Sequence, residues 1–134
     1  MSKYIITAIV LTTIISSCKK DEDKCTASKG GSLTIVAFPQ HHSKPIFNKT
    51  NYLDTIYVKF NSKESPGLSP ANYDTYFVGE AGEDHVHMEG LKCGDYFFLG
   101  AGFDTTINAR VVGGIPYSTD QKEGEININI PVTE

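Results

Sequence analysis

Four histidines in two short pairs are the residues of this sequence best suited to chemistry. His41 and His42 are adjacent, and His85 and His87 are separated by one residue. In a β-strand, residues two apart point to the same side, so His85 and His87 would present both imidazoles from one face. Two imidazoles on one face suit Zn²⁺ or Cu²⁺. The spacing therefore predicts a candidate metal-binding pair.

A third ligand for this pair would have to come from elsewhere in the chain. The adjacent histidines, His41 and His42, would supply it if their loop lies over the strand that holds the other two. Asp84 or Glu89 would supply a carboxylate instead. The alternative is that both strand histidines are ordinary polar residues on the solvent face of an edge strand, because a half-buried strand alternates apolar and polar residues without any ligand.

The remaining polar residues form no recognisable catalytic motif. There is no Gly-x-Ser-x-Gly nucleophile elbow. Gly113-Gly114 lacks the strand–helix context and the Lys-Ser/Thr of a phosphate loop. The 134 residues carry a net charge of −4, which gives no general attraction to nucleic acid. We therefore expect a protein that is not an enzyme and binds no nucleic acid.

Aromatic side chains are a second candidate for binding. The sequence has seven Tyr and seven Phe but no Trp. Phe97 and Phe98 are adjacent in a strand-like segment, so one of them must face away from the core unless another element covers it. Exposed rings could contact a protein or a glycan, and the absence of Trp weakens the glycan version. The alternative is an ordinary core with a few half-exposed rings.

The segments that hold these residues alternate as β-strands do. No long stretch keeps the periodicity of a helix. Alternation and turn residues predict seven strands, at residues 32–38, 52–60, 73–78, 84–89, 95–101, 105–112 and 125–132. The clearest is the last, where three isoleucines alternate with two asparagines. The sequence therefore predicts an all-β, seven-stranded β-sandwich over residues 31–134.

A more specific pattern runs from Asp84 to Phe103. Alternating apolar residues up to Leu91 are followed by Gly94-Asp95-Tyr96 at the start of the next strand and Gly102-Phe103 at its end. This stretch resembles the carboxypeptidase-regulatory-like and Cna-B-like modules of the transthyretin-like (prealbumin) fold. The resemblance implies a prealbumin-like sandwich. The chain lacks the terminal Tyr-Arg-Gly-Ser motif of transthyretin-like hydrolases, so their activity is not implied.

The first seventeen residues have the composition of a secretory signal peptide. Lys3 supplies a positive charge, an uncharged and mostly apolar run extends from Tyr4 to Ile15, and Ser16-Ser17 form a small polar exit. The apolar run is shorter than the roughly 20 residues that a membrane-spanning helix needs. We therefore expect residues 1–17 to be an export signal that is removed.

Ile15-Ser16-Ser17-Cys18 resembles the lipobox of bacterial lipoproteins. The resemblance implies that Cys18 becomes the first residue of the mature chain and carries fatty acyl groups such as palmitate, which would hold the protein on a membrane. The charged run after Cys18 resembles the export signal of Bacteroidetes-type lipoproteins and implies the outer membrane, on its periplasmic or cell-surface face. A plain solvated spacer is the alternative. The tether would span residues 18–30.

Cys25 and Cys93 remain once Cys18 is lipidated. An exported chain lives where disulfides persist, and two cysteines allow one pairing. Cys25 lies just before the first predicted strand and Cys93 in a turn at a strand start, so a bridge between them is sterically conceivable. Two unpaired, half-buried thiols are the alternative.

These features predict a lipid-anchored outer-membrane lipoprotein whose sandwich is a non-catalytic binding or accessory module for a protein or a glycan. The alternative function is a Zn²⁺- or Cu²⁺-binding lipoprotein that uses His85 and His87, helped by His41 or His42. No other cofactor is expected.

Overall fold

Residues 24–134 are described by the computed structural model, and they form two β-sheets. In chain order the strands are β1 (Lys29–His41), β2 (Lys44–Pro45), β3 (Thr55–Phe60), β4 (Thr75–Val78), β5 (Val86–Leu91), β6 (Gly94–Asp104), β7 (Ala109–Thr119) and β8 (Glu123–Val132). A single 3₁₀ turn of the described chain lies at Pro70–Asn72. No helix in this part of the chain is long and apolar enough to cross a membrane. The predicted signal peptide, residues 1–17, and the predicted lipidation site Cys18 lie outside the described residues.

β1 is the centre of the first sheet. β8 runs parallel to β1 in an unbroken register from Ser32 to His41. β5 runs antiparallel along the other edge and places Val86 opposite Ala37, and the two-residue β2 turns back on the end of β1. The first sheet therefore joins the first and last strands of the described chain.

The second sheet has the strand order β4-β3-β6-β7, and all its pairs are antiparallel. β6 and β7 pair from Gly94–Thr119 to Asp104–Ala109. A Cβ added to Gly114 of β7 would lie 2.6 Å from Cε1 of Phe97, because that ring lies over the glycine backbone. Phe97 is consequently buried although it points away from the core.

Alternate residues of both sheets fill the space between them. In β8, Ile128 and Ile130 are buried, whereas Asn127 and Asn129 are exposed, as their alternation predicts. The largest fully buried side chains come from both sheets and include Tyr96, Phe98, Leu33, Ile35, Ile56 and Met88. Burying an apolar side chain of this size contributes about 1.5–3 kcal/mol. The predicted all-β fold is thus confirmed as two packed sheets, consistent with a β-sandwich.

The number of strands and most strand boundaries differ from the prediction, and the largest shift is in β7. The described residues form eight strands instead of seven, because Lys44–Pro45 is too short to give an alternating pattern. The strand predicted at 105–112 begins only at Ala109 and continues to Thr119. Gly113 and Gly114 lie inside this strand. Glycine is needed at both positions, because a Cβ on either residue would collide with the chain packed against β7.

The predicted disulfide between Cys25 and Cys93 is confirmed. The bridge ties the segment before β1 to the turn between β5 and β6. Ala27 is buried in the core and β1 already begins at Lys29. The last residues of the predicted tether, 18–30, therefore belong to the folded body.

The two sheets share the same two ends. One end holds the disulfide and the starts of β1, β6 and β8, and we call it the Cys25 end. The opposite end holds the end of β1, the β1–β2 turn, the β6–β7 turn and the end of β8, and we call it the His41 end. β3 starts at this end, where Thr55 pairs with Ala101.

Asn48 and Asp54 form a buried polar pair near the His41 end. The amide oxygen of Asn48 accepts a hydrogen bond of 2.6 Å from the backbone N–H of Asp54. The Asp54 carboxyl is fully buried, and neither of its oxygens has a hydrogen-bond partner among the described residues. Burial disfavours the charged form and raises the pKa of Asp54 to about 7.

We expect Asp54→Asn to stabilise the protein above neutral pH. The carboxyl ionises in the unfolded chain near its ordinary pKa of 3.8, whereas in the folded chain it resists ionisation until about pH 7. Removing this charge should raise the free energy of unfolding by about 2–4 kcal/mol near pH ~8 and by much less near pH ~4. Urea denaturation at both pH values measures the difference.

The exposed residue Asp120 provides the matched control, since Asp120→Asn removes a carboxylate from solvent. That variant should change stability little at either pH. An Asp54→Asn variant with the same gain at both pH values would contradict the buried-charge explanation.

Candidate functional site

The four histidines form two separate groups. The first, the strand cluster, consists of Glu83, His85 and His87. The second, the end cluster, consists of His41, His42 and Glu134. In each cluster three ligand atoms lie within 4.8 Å of one another. One version of the prediction expected His41 or His42 to join His85 and His87. Both instead lie at the opposite end of β1 from the disulfide, apart from the strand cluster.

The strand cluster is built on one side of the chain at the start of β5. Val86 and Met88 are buried in the core, and His85 and His87 point the other way, as predicted. Their Nε2 atoms are 3.0 Å apart. An Oε2 atom of Glu83 lies 3.4 Å from Nε2 of His85. Two imidazole nitrogens and one carboxylate thus converge on one point.

Asp84 fixes the orientation of one of these rings. Its Oδ1 atom lies 2.8 Å from Nδ1 of His85. An ionised carboxylate only accepts hydrogen bonds, so Nδ1 carries the proton and donates the hydrogen bond. The lone pair of the neutral ring is then on Nε2. Metal-ligating histidines are commonly held in this way by a carboxylate. Asp84, predicted as a ligand, therefore orients a ligand, and Glu83 takes the position nearest the ring nitrogens.

The backbone of the strand cluster is held by Asn48. The side-chain amide of Asn48 donates to the carbonyl oxygens of Glu83 at 3.0 Å and of His85 at 3.3 Å. Its backbone N–H donates to the carbonyl of Glu83 at 2.8 Å. Asn48 is buried, so these bonds are shielded from water. They attach the segment before β5 to the loop after β2.

The end cluster contains a buried histidine–carboxylate pair. Nδ1 of His41 donates to Oδ2 of Asp104 at 2.7 Å. Oδ1 of Asp104 accepts from the backbone N–H of Thr106 at 2.8 Å and from its hydroxyl at 2.6 Å. His41 ends β1 and Asp104 ends β6, so this pair joins the two sheets at the His41 end.

The hydrogen bonds of this pair change the pKa of both partners. The hydrogen bond to Asp104 is the main cause that raises the pKa of His41 above 6.5. The Thr106 hydroxyl, followed by His41, lowers the pKa of Asp104 to about 2. Each hydrogen bond favours the charged form of the group that it contacts.

Nε2 of His41 has a different environment from Nδ1. It is buried, and Oε2 of Glu134 lies 2.9 Å from it. This contact is a further cause that raises the pKa of His41. The His42 ring packs edge-on against the His41 ring, with centroids 4.2 Å apart. The second nitrogen of the buried ring therefore faces the exposed members of its cluster.

Sequence reasoning missed two residues of the clusters, Glu83 and Glu134, and the partner of His41, Asp104. Glu83 continues the two-residue spacing of His85 and His87, but it lies just before the strand predicted at residues 84–89. Asp104 and Glu134 are far from His41 in the chain and meet it only because β6 and β8 both end where β1 ends. Glu89, predicted as a carboxylate ligand, is not a member of the strand cluster.

Large apolar side chains are exposed at the His41 end. Phe47 is 51% exposed, and Tyr52, Leu53 and Ile107 are also exposed. Tyr52 stacks on Phe103, with ring centroids 4.2 Å apart. Phe103 lines two neighbouring clefts, one with Phe47 and Ile107 and the other with Tyr52 and Leu53. These five side chains form one apolar surface, which we call the end patch.

Comparison with known proteins gives little further guidance. No protein-family model matches this chain. No curated protein matches it. Among solved structures, it is similar to a DUF4876 family protein from Bacteroides thetaiotaomicron VPI-5482, with a TM-score of 0.40 and 17% identity. The match covers 76% of this chain but 24% of that one, so this chain spans about a quarter of that protein's length. The transthyretin-like resemblance of the sequence stays a prediction.

We expect Asp104→Asn to lower the pKa of His41, because it removes the carboxylate that favours the imidazolium. The loss of a hydrogen bond to the charged ring disfavours that form. Titration of the His41 ring resonances by NMR measures the decrease. Asp120→Asn, which changes an exposed carboxylate in the turn between β7 and β8, should leave the His41 titration unchanged. An equal His41 pKa in Asp104→Asn and in the unmodified protein would show that the pair is not electrostatically coupled.

Proposed function

We propose that this protein is a lipid-anchored lipoprotein of the outer membrane whose transthyretin-like β-sandwich is a non-catalytic module that binds another protein. The anchor is Cys18, and the binding surface is the end patch at the His41 end. The observation that carries the proposal is the position of this patch: exposed apolar side chains gather at the end of the body farthest from the chain segment that leads to Cys18.

The tether orients the body relative to the membrane. Only six residues lie between Cys18 and Cys25, so the disulfide would stay within roughly 25 Å of the lipid. β1 runs from the Cys25 end to the His41 end over thirteen residues, which corresponds to roughly 40 Å. The end patch would therefore point away from the membrane, where it is accessible to a partner.

The composition of the patch favours a protein over a glycan. Leu53 and Ile107 are aliphatic, whereas sugars bind chiefly by stacking on aromatic rings. Lys44, Lys49 and Arg110 line the same two clefts, although the whole chain is acidic. Protein interfaces combine an apolar centre with a charged rim. The partner surface should accordingly be apolar, with acidic residues around it.

Site-specific photo-cross-linking in the native host tests the proposal. A photoreactive phenylalanine analogue in place of Phe47 or Ile107 should give a discrete protein adduct in intact cells. Cys18→Ala should release the protein from the membrane fraction. It should also reduce the amount of adduct several-fold, because the released body would have a lower local concentration near its partner.

Leu68 is the matched control position, since it is the most exposed large apolar residue of the described chain and lies outside the end patch. The analogue at Leu68 should give no such adduct. Equal adducts at Leu68 and Phe47, adducts with polysaccharide only, or unchanged membrane partition of Cys18→Ala would each contradict the proposal.

A second candidate function, favoured by the strand cluster, is binding of Zn²⁺ or Cu²⁺. Two ring nitrogens and a carboxylate converge there, and Asp84 holds one ring in the tautomer that a metal requires. Imidazole with carboxylate is a donor set that both ions accept. His87 is exposed and Glu83 and His85 are partly exposed, so a cation has access from solvent.

Calorimetric titration with Zn²⁺ and with Cu²⁺ tests this candidate. The double variant His85→Ala, His87→Ala should lower the affinity of the strand cluster at least about tenfold. Glu89→Gln is the control, because Glu89 lies on the same strand but outside the cluster. Circular dichroism should show an unchanged fold in both variants, since both histidines are at least partly exposed. Unchanged heats of binding in the double variant would exclude this site.

A further inference from the structure

We propose that the end cluster is a second, independent cation site, in which His41, His42 and Glu134 bind a divalent metal ion such as Zn²⁺. The three ligand atoms already lie within 4.8 Å of one another. Two imidazole nitrogens and one carboxylate are a set that Zn²⁺ uses in proteins, with a fourth position left for water or another ligand. The site is at the opposite end of β1 from the disulfide and shares no residue with the strand cluster.

The strongest support is the geometry at Nε2 of His41. The side chain is 6% exposed, and the carboxylate oxygen of Glu134 lies 2.9 Å from Nε2. An ionised carboxylate only accepts hydrogen bonds, so this contact needs a proton on Nε2 when no metal is bound. A divalent cation that replaces this proton would bind both atoms at once.

The opposite nitrogen of His41 is already arranged for this role. Nδ1 donates to Asp104, which is itself held by two hydrogen bonds from Thr106. This leaves Nε2 as the ligand atom and fixes the plane of the ring. A carboxylate behind a ligating histidine is a common feature of metal sites, and its loss typically weakens metal binding about 10–100-fold.

The turn that presents His42 has an unusual sequence. His42 and Ser43 connect β1 to β2 as a two-residue hairpin loop, and both have positive φ angles, of 50° and 63°. Hairpin loops with this backbone strongly prefer Asn-Gly or similar pairs. Histidine, like Asn and Asp, is enriched at positive φ, so the turn accommodates His42. It holds the His42 ring edge-on against the His41 ring, with centroids 4.2 Å apart.

The turn also supplies a variant that separates folding from binding. Asn tolerates positive φ better than most residues and is favoured in this type of turn. His42→Asn should therefore keep or raise the melting temperature of the metal-free protein while it removes a ligand. Ser43→Asn is the matched control, because it improves the same turn and leaves all three ligands in place.

Calorimetric titration with Zn²⁺ tests the proposal in a protein that already carries His85→Ala and His87→Ala. This background removes the strand cluster, so the end cluster is measured alone. We expect one bound Zn²⁺ per chain and a rise in melting temperature, because the ion would tie the β1–β2 turn to the segment after β8. His42→Asn and Glu134→Gln should each weaken binding at least about tenfold. Ser43→Asn should not.

Two results would overturn the proposal. One is the absence of Zn²⁺ binding in the background that lacks His85 and His87. The other is binding that His42→Asn and Glu134→Gln leave unchanged, which would place the ion elsewhere. Neither result bears on the strand cluster, which this background lacks, or on the end patch, which is measured by cross-linking.

Discussion

The hydrogen bond between His41 and Asp104 is the interaction on which the His41 end depends. It joins the last residue of β1, in the first sheet, to the last residue of β6, in the second. At the Cys25 end the same two sheets are closed by a disulfide. A two-sheet body of this size has a thin core, so its open ends matter for stability. One end is closed covalently and the other by a buried pair that Thr106 supports.

Alternation along β5 places the residues that pack the core and the residues that can bind a ligand on opposite faces. In β5, Val86 and Met88 fill the core, and the intervening His87 faces outward with His85 and Glu83. A residue that packs the core and a residue that can bind a ligand are therefore neighbours in the chain but lie on opposite sides of the sheet. Packing the first group fixes the position of the second. The end cluster departs from this rule, because His41 is buried on the same face of β1 as Leu33, Ile35 and Ala37.

Much of the fold could be predicted because its signal is local. Six of the seven predicted strands overlap the observed ones in most of their length, and alternation correctly assigned the inner and outer residues of β8. The errors occurred where the signal is weak. β2 has two residues and no period, and the glycine pair in β7 looked like a strand end. Those glycines are required inside the strand, because Phe97 lies over one of them and the end of β8 over the other.

Residue type and short-range spacing were enough to predict the all-β class and the shared face of His85 and His87. They favoured the pairing of Cys25 with Cys93 only together with the expected lipidation of Cys18, and two unpaired thiols stayed open as the alternative. The carboxylates that meet the histidines became known only from the folded arrangement of the strands. The same is true of the separate cluster that His41 and His42 form. Asp104 and Glu134 are distant from His41 in the chain. They come together because β1, β6 and β8 end at the same edge of the body, and strand order and register are long-range properties that no local pattern encodes.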